Sequence, residues 1–164
     1  MKLHQYRIVN VIEVDFHRRV SELVDGKPRI LIVDNNRDFT RSARLILERT
    51  GKYSVCEENE ATRAQQTASR IKPALILLDI VMPDIDGGEV AARIQSDPAL
   101  QRTPIVFLTA LVTKDETRPG LRIQGRPFLA KPVTLPELLG AIEENLPIHA
   151  VSSFGHRIDG APSG

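Results

Sequence analysis

Short apolar runs and amphipathic stretches alternate along this chain from Arg29 onward. Ile30 to Val33 is a continuous apolar run entering Asp34, the pattern of a strand covered on both faces. Phe39, Ala43, Ile46 and Leu47 recur at helical spacing, with Gly51 as a stop. Tyr53 to Cys56 reads as a second strand, and Ala61, Ala64, Ala68 and Ile71 as a second helix ended by Pro73. Ala74 to Leu78, the most apolar run in the chain, enters Asp79.

After the turn signal MPDIDGG, Val90, Ala91 and Ile94 mark a third helix. Pro104 introduces a strand over Ile105–Leu108 that enters Thr109, and Phe128–Ala130 is a short strand entering Lys131. Leu135, Leu138, Leu139, Ile142 and Leu146 form the cleanest helical stripe, with Pro136 in its permitted first turn. Strands alternating with helices predict an α/β fold: a parallel sheet with helices on both faces, joined by right-handed crossovers. Between Leu111 and Pro127 the pattern is broken by Pro119, Gly120 and Gly125, so a short helix around Lys114–Arg118 followed by loop is expected.

The expected organisation is an N-terminal extension over 1–28, one domain over 29–147 and a loosely ordered tail over 148–164, rich in Gly, Ser, Pro and His. In the extension, Ile8, Ile12, Phe16, Val20, Leu23 and Val24 trace a helical stripe ending near Gly26, although IVNVIEV would also suit a strand. At 164 residues the chain can bury a proper core. A formal net charge of +1 gives no argument for nucleic-acid or membrane binding. The lone Cys56 excludes an intramolecular disulfide and a cysteine-built metal cluster, and reads as a small apolar residue near a strand. No apolar run approaches the ~20 residues of a membrane span, and the start lacks the apolar stretch of a secretory signal, so the cytoplasm is expected.

The polar residues sit where chemistry would need them. Asp34, Asp79, Thr109 and Lys131 each end or follow an apolar strand-like run. In an open parallel sheet the carboxyl ends of the strands line one crevice, so four residues distant in sequence should converge on one edge. Two carboxylates, a hydroxyl and an ammonium suit a divalent cation and a phosphoryl group. Asp79 would attack phosphorus as a carboxylate nucleophile and form an acyl phosphate. Asp34 and Asp79 would supply oxygen ligands to Mg²⁺ or Mn²⁺. Lys131 would offer a point charge and Thr109 a hydroxyl donor to the phosphoryl oxygens. Taken singly, an Asp after a strand is a turn former or helix cap, and a lone Thr or Lys–Pro is structural or solvated. Their joint register with four strands outweighs those readings.

ILIVDNN, LILLDIVMPDIDGGEV, IVFLTA and FLAKPV resemble, in order and spacing, the motifs of receiver domains of bacterial two-component systems. The resemblance covers roughly Arg29 to Leu146 and implies a flavodoxin-like fold with five parallel strands in the order 2-1-3-4-5. It implies phosphorylation by a histidine kinase or phosphotransfer protein, with Asp79 as phosphoacceptor and Thr109 and Lys131 as switch hydroxyl and phosphate-binding lysine. Asp34 matches the first acidic position, and the backbone carbonyl of Val81 stands where the family supplies a metal ligand. The second acidic position is Asn35, whose amide oxygen can still ligate but carries no charge, so a weakened metal site is expected. Phe128 holds the aromatic switch position without a hydroxyl, so its inward form would rest on burial alone.

Val81 and Leu111 follow Asp79 and Thr109 by two residues, where family members often place groups that orient hydrolytic water. Both are apolar, which implies slow self-dephosphorylation. Arg118, Arg122 and Arg126 near the last strand read as a solvated surface, with partner docking as the alternative. Only 18 residues follow Leu146, too few for a DNA-binding or enzymatic output domain. The expected output is therefore a protein target, with the N-terminal stripe a candidate dimerisation surface. The expected protein is a stand-alone phosphoacceptor that assists its own modification, not a turnover enzyme. One rival is a non-phosphorylated binding module of the same fold, which Asn35 favours. Another is an enzyme such as a phosphatase, against which DNNRD replaces any Gly-rich phosphate loop after the first strand.

Overall fold

A computed structural model of the chain describes residues 23–24, 26–116 and 121–147. Five parallel strands form the sheet: β1 (Lys27–Val33), β2 (Ser54–Glu58), β3 (Leu75–Asp79), β4 (Ile105–Thr109) and β5 (Phe128–Ala130). Their order across the sheet is β2-β1-β3-β4-β5, with Ile30 opposite both Val55 and Leu75, Asp79 opposite Leu108, and Thr109 opposite Ala130. Helices α1 (Arg37–Arg49), α2 (Ala64–Ile71), α3 (Gly87–Ser96) and α4 (Leu135–Asn145) complete the doubly wound arrangement.

Strand alternation divides the core in two. Ile30, Ile32, Leu75, Leu77, Val106 and Leu108 pack with Ala43, Leu47, Leu138 and Ile142 of α1 and α4. Leu31, Val33, Ile76, Leu78, Ile105 and Phe107 pack with Ala64, Ala68, Val90, Ala91 and Ile94 of α2 and α3. All five residues of β3 and of β4 are buried, as expected of central strands covered on both faces. Each α1 or α4 end is chemically defined. Asn36 caps α1, and Thr134 with Glu137 forms a capping box on α4.

Three expectations need correction. The second strand begins and ends later than expected, because Tyr53 is buried as part of the core beside α1 while Glu57 and Glu58 carry the ladder on. Ile46, expected on the buried face of α1, is 42% exposed; buried Thr40 takes part in that face instead. Leu23 and Val24 belong to a short strand antiparallel to the start of β1, turned at Gly26 with φ 75°, not to the end of a helical stripe. The remainder of that stripe and the tail lie outside the described residues, as does Arg118.

Between β4 and β5 the described residues hold a short 3₁₀ turn, Lys114–Glu116, within the stretch where a short helix was expected. A tight hairpin follows, in which Ile123 and Arg126 exchange both backbone hydrogen bonds at 2.9 Å. Gln124 and Gly125 both adopt positive φ, 49° and 75°, which is the type I′ geometry. Among the described residues no helix is long and apolar enough to cross a membrane.

Candidate functional site

Three side chains meet at the carboxyl edge of the sheet. Asp34 follows β1 and is fully buried. Its N–H donates to the Glu58 carbonyl at 3.1 Å, and its Oδ1 accepts the Asn36 N–H at 2.9 Å. Asn36 in turn caps α1 by accepting the Phe39 N–H at 3.0 Å. Asp79 closes β3, and its Oδ1 lies 3.3 Å from the Val81 N–H. Lys131, just beyond β5, places Nζ 2.6 Å from Asp34 Oδ2 and 3.3 Å from Asp79 Oδ2. Alternation explains the meeting: Asp34, Asp79 and Lys131 continue the rows of Ile32, Leu77 and Leu129, all on the α1/α4 side. The ammonium also lies 4.9 Å from the centre of the Phe39 ring, a cation–π contact that holds it over the edge.

Burial raises the Asp79 carboxyl above the ordinary carboxylate value, and the negative charge of Asp34 adds to the rise. Lys131 and the Val81 N–H pull the other way without cancelling it. Asp79 is therefore a carboxylate held under electrostatic tension, with a cation within reach.

Thr109 stands at the neighbouring strand end, buried, with its Oγ1 accepting the Leu111 N–H at 3.0 Å. Its carbonyl accepts the Lys131 N–H at 2.7 Å, tying the two strand ends together. The hydroxyl is thus turned to its own loop. Phe128 is half-buried on the α2/α3 side, opposite Phe107 in the sheet. Asn35 is exposed, and so are Val81 (51%) and Leu111 (69%) above the site.

The hairpin corrects the expectation of a solvated arginine surface. Arg122 is exposed, but Arg126 donates to Gln95 Oε1 of α3 and lies 5.6 Å from the centre of the Phe107 ring. Cys56 is half-buried in β2, packed against the α2/α3-side core as a small apolar residue would be.

Sequence reading passed over Asn36, Phe39 as a contact of Lys131, and Gly87. Asn36 was available as a cap three residues before Phe39. Gly87 has a steric reason visible only in three dimensions: a Cβ there would lie 2.3 Å from the Asp79 carbonyl oxygen. The donor set fits a hard divalent cation. Asp34 and Asp79, whose carboxylates both lie against Lys131 Nζ, are hard oxygen donors of the kind such a cation takes.

Fold and edge define a doubly wound α/β module with a charged site at its sheet edge, and comparison with known proteins makes the family definite. The chain belongs to the response regulator receiver domain family, whose model matches residues 30–143. It is 33% identical over 117 residues to Response regulator Rre1 of Synechocystis, an alignment covering 71% of this chain and 50% of that protein. Protein PilG of Pseudomonas aeruginosa is 27% identical, with 73% of this chain and 87% of PilG covered. The chain spans about half the length of Rre1 and of the Synechocystis regulator RpaA, 50% and 47% respectively. Among solved structures, Vibrio cholerae chemotaxis protein CheY4 superposes with a TM-score of 0.64 at 22% identity, over 73% of this chain and 99% of CheY4. The N-terminal domain of a response regulator receiver protein from Methanoculleus marisnigri matches at 31% identity and TM-score 0.54, over 71% and 94%. Receiver domains of this family serve phosphorelay signalling and generally take Mg²⁺ at the phosphorylation site.

Proposed function

We propose that the chain accepts a phosphoryl group on Asp79 from a histidine kinase or phosphotransfer protein and signals through contacts with a protein target. The observation that carries this reading is the convergence of Asp34, Asp79 and Lys131 within ion-pair distance at one sheet edge. A carboxylate oxygen of Asp79 attacks phosphorus, the donor's P–N bond breaks, and the leaving imidazole takes a proton. Lys131 receives one phosphoryl oxygen, exchanging its contact with Asp79 for one with the new anion. Thr109, buried at the next strand end, donates its hydroxyl to another oxygen once it leaves the Leu111 N–H.

Asp34, Asp79 and the Val81 carbonyl would hold Mg²⁺, with Asn35 as a neutral fourth contributor. A cation held there would neutralise charge on the phosphoryl oxygens. Catalysis is then positioning and charge stabilisation by groups already aimed. Movement of Thr109 vacates space beside β4, which Phe128 can fill by burial.

The test is incubation with Mg²⁺ and acetyl phosphate, followed by treatment with hydroxylamine. The reading predicts a phosphate that forms only with divalent metal and is released by hydroxylamine, as an acyl phosphate must be. A protein that takes up no phosphate under these conditions would be the binding module that Asn35 favours.

A further inference from the structure

The chain end of β2 carries a polar network directed at the site but not part of it. Alternation puts Val55 and Glu57 on the α1 side of the sheet. Asn59, just past the strand, uses both hydrogens of its Nδ2. One goes to the Asp34 carbonyl at 2.7 Å and the other to Thr40 Oγ1 at 3.0 Å. Thr40 lies in the first turn of α1 and is fully buried. Its hydroxyl has Glu57 Oε2 at 2.8 Å as the nearer acceptor for its hydrogen and the Arg37 carbonyl of its own helix turn at 3.1 Å. The other oxygen of Glu57 is 2.5 Å from Arg44 Nε, an ion pair without the alignment of a hydrogen bond.

The chain of contacts therefore runs Arg44–Glu57–Thr40–Asn59 and ends on the backbone of Asp34. Because the Asp34 N–H is also bound to Glu58, both backbone groups of Asp34 are tied to the end of β2. The Asn36 N–H closes the loop from the other side. Within the loop Asp34 is buried, while Asn35 and Asn36 are exposed.

We infer that Glu57, Thr40 and Asn59 are positioning residues that hold the Asp34–Asn36 loop in the shape Mg²⁺ binding requires. The inference rests on the proposed reading of Asp34 as a metal ligand. Partners outside the ligand shell set a ligand's orientation and so the metal's affinity. The dependence is sharper here because Asn35 supplies no charge, leaving more of the binding to the aim of Asp34. If the network merely stabilised the fold, breaking it would lower the unfolding midpoint and leave metal affinity alone.

Wild type, Thr40→Val and Thr40→Ser are titrated with Mg²⁺ by calorimetry without phosphodonor, and amide exchange at Asn36 is followed in metal-free protein. Valine keeps the shape of threonine but can neither accept from Asn59 nor donate to Glu57. Thr40→Val is expected to bind Mg²⁺ roughly tenfold more weakly and to exchange faster at Asn36. Thr40→Ser should restore both affinity and protection. Unchanged affinity and exchange in Thr40→Val would overturn the relay alone. Should Thr40→Val fail to fold, Asn59→Ala carries the same expectation, and wild-type affinity there overturns it equally. A wild type that binds no Mg²⁺ overturns the metal-site reading itself, and the relay with it.

Discussion

On the proposed reading Asp79 is a nucleophile, and it sits buried beside another carboxylate. The fold bears the strain of that demand. A carboxyl whose folded value is raised contributes stability at low pH and loses it as pH rises through that value. At neutral pH the ionised Asp79 is therefore a net destabilising group. Asp79→Asn should stabilise the protein by about 0.5–2 kcal/mol in urea unfolding at neutral pH, and the gain should shrink as pH falls and wild-type Asp79 takes up its proton. An Asn variant less stable than wild type at neutral pH would contradict the tension described at this site. At the neighbouring position, Asn35→Asp restores a charged oxygen. It should tighten Mg²⁺ on the order of tenfold in calorimetry, since one more carboxylate faces a divalent ion in a partly dry site. Equal affinities would mean that position 35 does not reach the metal.

At the scale of the element, two glycines separate packing from propensity. Gly87 opens α3 against the end of β3, where a Cβ would come 2.7 Å from the Ile80 Cα as well as against the Asp79 carbonyl. Gly87→Ala should therefore destabilise by about 1–3 kcal/mol through backbone displacement, and should slow phosphorylation because the displaced backbone is that of Asp79. Gly140 lies within α4, and a Cβ there meets nothing within 4 Å. Gly140→Ala should stabilise by roughly 0.5–1 kcal/mol. Chemical denaturation of both variants checks the contrast; similar effects would mean the α3–β3 contact is looser than described.

The elements were also unequally legible. Continuous apolar runs announced β1, β3 and β4 because buried parallel strands need them, and the stripe from Leu135 announced α4 because one face must meet the sheet. The β4–β5 connection was legible only in outline: a short helical turn stands at Lys114–Glu116 as expected, but the hairpin after it was not foreseen. Its turn places a glutamine, Gln124, at positive φ, where asparagine or glycine would have given the signal. The helix formers around Lys114 yield only a 3₁₀ turn. Arg126 looked solvated because an arginine's partner, here the Phe107 ring and Gln95, leaves no local trace in sequence.

For the whole molecule, topology does what no local pattern can: it brings Asp34, Asp79 and Lys131 to one point from three separate strands. That meeting was readable because strand ends in a parallel sheet share an edge. The contacts that hold Asp34 in place, through Asn59 and Thr40, were not, because they depend on which face of α1 meets β2. Above the site, exposed Val81 and Leu111 present apolar surface where water would have to be held to attack the acyl phosphate. Phosphate loss from the modified protein should therefore be slow, and Val81→Asn should speed it severalfold in a time course after removal of donor. Rapid loss that Val81→Asn leaves unchanged would count against a dry approach.

The central claim is that Asp79 carries the phosphoryl group. Intact mass after incubation with Mg²⁺ and acetyl phosphate tests it most directly, with wild type and Asp79→Ala measured side by side. The account predicts a single phosphoryl increment on the wild type and none on Asp79→Ala. An increment that persists in Asp79→Ala, or a wild type that gains none, would contradict it.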